Sequence, residues 1–151
     1  MNNKIVKISF PKIVVFCIWI SIANLFANDI SDSESFSALL KGDMKNAIPY
    51  LTKSCNNGTG PLSCDALAGC YRNGNGIEKD ANKAIKLYQS ACEKNYGPSC
   101  YALAAMYVNG EGVNVDYTYA GQLFEKSCAQ EFPPACQIVE KIKKINQDNA
   151  Q

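Results

Sequence analysis

From residue 80 onward, apolar positions recur at helical spacing. In "DANKAIKLYQSACEKN" (80–95), Ala84, Leu87, Tyr88, Ala91 and Cys92 share one face, with Lys83, Lys86, Gln89 and Ser90 on the other. Asp80 stands where a carboxylate can accept from the unpaired amides of a first helical turn. "NYG" (95–97) predicts a turn, and Pro98 suits the first position of the next helix. In "PSCYALAAMYVNG" (98–110), Cys100, Leu103, Ala104 and Tyr107 form a second stripe, which Asn109-Gly110 ends. The pattern predicts two antiparallel helices followed by a glycine loop.

The pattern repeats. A shift of 36 lays residues 64–99 on 100–135 with thirteen identical pairs, among them Cys64/Cys100, Leu67/Leu103, Tyr71/Tyr107, Gly76/Gly112, Asp80/Asp116 and Cys92/Cys128. A shift of 37 carries Asp43, Ala47 and Cys55 onto Asp80, Ala84 and Cys92, so an earlier copy precedes these two. The expected fold is all-α: a right-handed α-solenoid of antiparallel helix pairs, with about three repeats of 36–37 residues at about 43–79, 80–115 and 116–146. "SESFSALLKG" reads as an N-terminal capping helix over about 32–41. Pro49 falls inside the first repeat helix and is expected to kink it or delay its start. Glu140 and Lys143 stand where earlier copies have Ala104 and Tyr107, which predicts a polar end cap with "NQDNAQ" as a frayed tail.

The first 27 residues read differently. Lys4, Lys7 and Lys12 form a basic head, and Ile13 to Ile22 is an apolar run of secretory-signal length. Leu25 and Ala27 suit a cleavage site, leaving Asn28 as the mature start; an uncleaved membrane anchor is the alternative. Residues 28–151 then form the repeat domain, in a secreted or periplasmic protein with no stable membrane insertion after cleavage. Without the leader, 12 basic and 14 acidic side chains remain, a balance that gives no nucleic-acid footprint. The chain contains no histidine, which removes the commonest metal ligand and the usual general base. No metal or other cofactor is expected.

"CxALAxxYxNGxGxxxD", followed by a spaced Ala, Leu, Cys and PxC, resembles the Sel-one-like repeat, a relative of the tetratricopeptide repeat. The leader, the 36-residue unit and one cysteine pair per unit are similar to those of bacterial secreted cysteine-rich proteins that carry a β-lactamase label. The resemblance covers roughly residues 36–146.

Cysteine spacing supports that frame. Cys92 and Cys100 are eight apart, as are Cys128 and Cys136; Cys55 and Cys64 are nine apart. In each copy the first ends one helix and the second begins the return helix, which can bring the pair within disulfide reach. The expected bridges are 55–64, 92–100 and 128–136, one per repeat, and similar proteins carry theirs in this arrangement. Each loop closure is worth about 2.5 kcal/mol in the chain-entropy model. Cys70 has Met106 and Ile142 as counterparts and reads as a free thiol packed as a small core residue, with an intermolecular bridge or a reactive thiol as alternatives.

The resemblance implies binding, and weak hydrolysis, of penicillin-type compounds. The residues supply little for hydrolysis: the one S-x-x-K, Ser9–Lys12, lies in the leader, S-D-N and K-T-G are absent, and no catalytic residue can be named. The preferred reading is a monomeric binding scaffold for a protein, peptide or cell-wall fragment. Its candidate groove residues are Lys83, Lys86, Gln89, Tyr117, Tyr119 and Gln122, with Ser90, Glu125 and Lys126 beside them. Tyr117 and Tyr119 stand out because an aromatic ring with a polar tip suits recognition. A weak β-lactamase and a secreted effector acting on a host protein are the alternatives.

Overall fold

A computed structural model describes residues 37–57 and 60–148. After a helical turn at 37–40 come α1 (Met44–Asn56), α2 (Pro61–Asn73), α3 (Ala81–Glu93), α4 (Gly97–Asn109), α5 (Tyr117–Ala129) and α6 (Pro133–Asp148). No strand occurs among the described residues. Each helix packs against the next in chain order, and the helices facing each other across the glycine loops, α2 with α3 and α4 with α5, pack most extensively. The fold is the α-solenoid that the repeat predicts.

Two kinds of helix start alternate. α1, α3 and α5 are capped by Asp43, Asp80 and Asp116, whose carboxylates accept from the amides of Asn46, Lys83 and Tyr119 at 3.3, 2.9 and 2.8 Å. α2 and α4 instead carry proline in the first turn, where its missing N–H leaves nothing unsatisfied. α4 begins at Gly97, one residue before Pro98, because Tyr96 already takes the capping position. α1 runs through Pro49 from its capped start at Met44, so no delayed start occurs. Its cap and the burial of Ala47, Leu51 and Cys55 hold the turn that Pro49 weakens. At the other end α6 stays helical to Asp148, so residues 146–148 of the expected frayed tail belong to it. The leader (1–27), its cleavage point at Ala27/Asn28 and residues 32–36 of the expected capping helix lie outside the described residues.

Alanine sets the spacing. Ala47, Ala68, Ala84, Ala104 and Ala120 are fully or almost fully buried, which lets neighbouring helices approach closely around Leu51, Leu103 and Met106. The buried polar side chains are satisfied: Ser99 donates to Asp65 Oδ1 at 2.6 Å and Ser127 to the Gly97 carbonyl at 2.7 Å.

The repeated N-G-x-G loop does two jobs. Gly110 ends α4 in the left-handed conformation (φ 68°) and returns its amide to the Met106 carbonyl. Gly112 (φ 74°) then lies against the start of α3, where a Cβ would come within 2.6 Å of Ala81 Cβ. One unit earlier Gly76 meets Lys45 at the start of α1 in the same way. The loop that ends each helix pair is thereby seated on the start of that pair's first helix.

Disulfides close the three short turns: Cys55–Cys64, Cys92–Cys100 and Cys128–Cys136, with Cα separations of 4.7, 4.7 and 4.6 Å. Cys70 is free and buried, packed with Leu51 and Leu67. Glu140 and Lys143 face solvent at the end of the stack, as a polar cap requires.

Candidate binding site

The equivalent helices α3 and α5 flank a cleft of about 200 Å³. Its floor is apolar and supplied by the core: Cys92, Leu103 and Leu123 are 2%, 1% and 6% exposed. Gln89 and Glu93 form one rim, while Tyr119, Gln122 and Lys126 form the other. Helical spacing explains the rims: 89 and 93 are one turn apart on α3, and 119, 122 and 126 follow one another on α5. Gln89 Nε2 donates to Glu93 Oε1 at 3.2 Å, one turn along α3.

Tyr119 is held in place from below. Its ring meets Tyr107 edge to face, with centroids 4.8 Å apart and planes at 81°. Burial raises the Tyr119 phenol above its ordinary range, and the neighbouring Tyr107 and Glu93 push the same way, so it stays a neutral donor.

Of the candidate groove residues, the cleft brings together Gln89, Tyr119 and Gln122, with Lys126 beside them. It does not include Lys83, Lys86 or Tyr117. Tyr117 is 71% exposed at the first position of α5, outside this cleft. Lys83 sits one unit earlier, its ammonium 5.1 Å from the centre of the Tyr71 ring and 3.3 Å from Asp80 Oδ2. Lys86 is exposed on α3. Sequence reasoning missed Glu93, Leu103 and Leu123. The two leucines read as core, and Glu93 carried no mark of its own beyond the i, i+4 step from Gln89, which was the available signal.

A second polar feature braces the stack. Arg72, at the end of α2, donates from Nε and Nη2 to both carboxylate oxygens of Glu111 at 2.7 Å, across 39 residues of chain. The Arg72 guanidinium holds the Glu111 carboxyl down to about 2. Asp65 is raised instead, because burial outweighs its hydrogen bond from Ser99. Ser99 is fully buried and its hydroxyl is spent on Asp65, so the pair is structural rather than a nucleophile awaiting substrate. Burial also raises the Cys70 thiol, which lowers its reactivity. Among the described residues no group of three or more Cys, Asp or Glu side chains could hold a metal ion.

The Sel1 repeat family profile matches residues 61–96 and 97–132. These units pair the helices facing each other across the glycine loops, half a unit out of step with boundaries at 43, 80 and 116; in that frame Cys92–Cys100 joins the two matched units. No curated protein matches the chain. Among solved structures, Helicobacter pylori cysteine rich protein B is 33% identical with a TM-score of 0.58, covering 60% of this chain and 68% of its own. A Sel1 repeat protein from Oxalobacter formigenes is 25% identical (TM-score 0.59), covering 63% of this chain and 38% of its own. The protective antigen c5321 of uropathogenic Escherichia coli, described as displaying an SLR fold, is 26% identical (TM-score 0.65), covering 74% of this chain and 25% of its own. The chain thus spans well under half the length of two of these three. With two matched repeat units, the shared fold and a third of its aligned residues identical to a cysteine-rich relative, this chain belongs to the Sel1 repeat family.

Proposed function

We propose that this protein is a binding scaffold, working outside the cytoplasm, whose ligand is a peptide segment of another protein held between α3 and α5. The observation that carries this reading is the cleft's construction: a buried apolar floor of Cys92, Leu103 and Leu123 beneath a rim of amides, a phenol and one charge of each sign. Pockets that enclose a drug-sized molecule run to about 300–1,000 Å³. A cleft of about 200 Å³ fits one or two peptide side chains, with Gln89 and Gln122 placed to bond the peptide backbone. Three disulfides within 82 residues fit an oxidising compartment, and export by the 1–27 leader would supply it.

Hydrolysis of β-lactams draws less support, since Ser99, the serine bonded to the Asp65 carboxylate, is fully buried. Nitrocefin turnover by the disulfide-intact protein tests that alternative directly, and robust turnover would displace the scaffold reading. The scaffold itself is tested by selecting peptides from a displayed random library on the immobilised protein. Selected peptides should bind Tyr119→Ala and Gln122→Ala at least about tenfold more weakly, a loss of about 1.4 kcal/mol. Unchanged affinity in both variants would place the binding surface elsewhere.

A further inference from the structure

The internal repeat extends this site. Successive units place different side chains at one structural position, and the ring contacts prove the correspondence: Lys83 lies over Tyr71 as Tyr119 lies against Tyr107, each pair 36 residues from the other. Lys86 likewise takes the Gln122 position. On the facing helix α1, the places of Gln89 and Glu93 are held by Thr52 and Asn56. Leu67 and Leu87 repeat the floor leucines Leu103 and Leu123, and pack with Leu51. By this correspondence the strip between α1 and α3 is the counterpart of the α3–α5 cleft, with a change of charge. The cleft carries Glu93 and Lys126, which balance. The strip carries Lys83 and Lys86 with neutral Thr52 and Asn56 facing them. The charged neighbours of the strip are Asp80, paired with Lys83 at an exposed contact, and Lys53 on α1.

Resting on the peptide-binding reading, we infer that the ligand is an acidic peptide segment: carboxylates lie over Lys83 and Lys86, and an apolar side chain enters the cleft beside Tyr119. An incoming carboxylate competes with Asp80 for Lys83 at little cost, because an exposed pair three residues apart on a helix is weak. It meets Lys86 opposite the neutral Thr52 and Asn56 positions of α1. A basic peptide meets two like charges at the same place.

The test uses disulfide-intact protein and three fluorescein-labelled peptides that share a central Leu-Phe, flanked by Asp and Gly, by Asn and Gly, or by Lys and Gly, with binding read by anisotropy. The acidic peptide should bind at least tenfold tighter than the neutral one, and the basic one weakest of all. The double variant Lys83→Gln/Lys86→Gln should erase the acidic advantage while leaving the neutral peptide's affinity unchanged. Lys141→Gln/Lys144→Gln, on the far helix α6, should change neither, and added salt should weaken only the acidic peptide. Equal affinity for acidic and neutral peptides, with Tyr119→Ala still weakening both, overturns the acidic preference and leaves the cleft intact. Binding insensitive to Tyr119→Ala overturns the cleft reading itself, and with it this inference. An acidic advantage that survives Lys83→Gln/Lys86→Gln and disappears in Lys141→Gln/Lys144→Gln also overturns it, by assigning the preference to α6.

Discussion

Replacing Gly112 by alanine isolates how the glycine loop after α4 is seated on the start of α3. Two separate costs arise. Gly112 sits at φ 74°, where an L side chain costs about 1–2 kcal/mol. The added Cβ would also lie 2.6 Å from Ala81 Cβ, 3.3 Å from Ile85 Cδ1 and 3.4 Å from the Ala81 carbonyl carbon, so backbone on one side must move. Overpacking of that kind costs about 1–3 kcal/mol. The stiffer unfolded chain returns about 0.4–1 kcal/mol. The expected net loss is about 2–4 kcal/mol, a fall in Tm of about 8–15 °C at this size. Gly121 is the internal control. It lies in the middle of α5 with nothing within 4 Å of an added Cβ, so Gly121→Ala should stabilise by about 0.5–1 kcal/mol. Urea unfolding of both variants under non-reducing conditions gives the numbers. Adding Ala81→Gly to Gly112→Ala should restore the steric share and leave the backbone share unrecovered. A Gly112→Ala protein within about 0.5 kcal/mol of the parent, or one that Ala81→Gly fails to rescue, would refute the seating of the loop on the start of α3.

Three further outcomes follow from particular contacts. Removing the middle bridge with Cys92→Ala/Cys100→Ala should lower stability by about 2–4 kcal/mol in urea melts, and a loss below about 1 kcal/mol would make that bridge dispensable. Glu111 has its folded pKa lowered by Arg72 to about 2, so its contribution is present above its unfolded value and is lost as pH falls from about 4.5 toward 2. Across that window the parent should lose about 1 kcal/mol more than Glu111→Gln does; parallel losses would show that the bidentate pair adds nothing. Cys70, 4% exposed, should resist a thiol reagent at neutral pH in the native state and react fully in denaturant. Stoichiometric labelling within minutes without denaturant would contradict its burial.

Local chemistry made most of the fold legible. Asp80 and Asp116 can cap a helix wherever they stand, Asn-Gly ends one, and two helices joined by a turn of a few residues must return antiparallel. The eight- and nine-residue cysteine spacings then leave the neighbouring thiol as the nearest partner, and the bridges form there. Repetition at 36 residues did the rest, since a unit that cannot bury its apolar face alone must stack on its copy.

What the sequence alone determined, then, is the 36-residue period, the alternation of its two helices and the disulfide that closes the short turn between them. The tertiary structure decided what lies between units, because those relations span many residues and depend on which faces approach. It alone divided the candidate groove residues, placing Gln89, Tyr119 and Gln122 around one cleft and Lys83 outside it, over the Tyr71 ring. It alone made Leu103 and Leu123 a floor, joined Arg72 to Glu111 across 39 residues, and let α1 run through Pro49 on the strength of its buried face. Periodicity reports which face of a helix is apolar; only packing reveals which apolar side chains end beneath solvent and which beneath another helix.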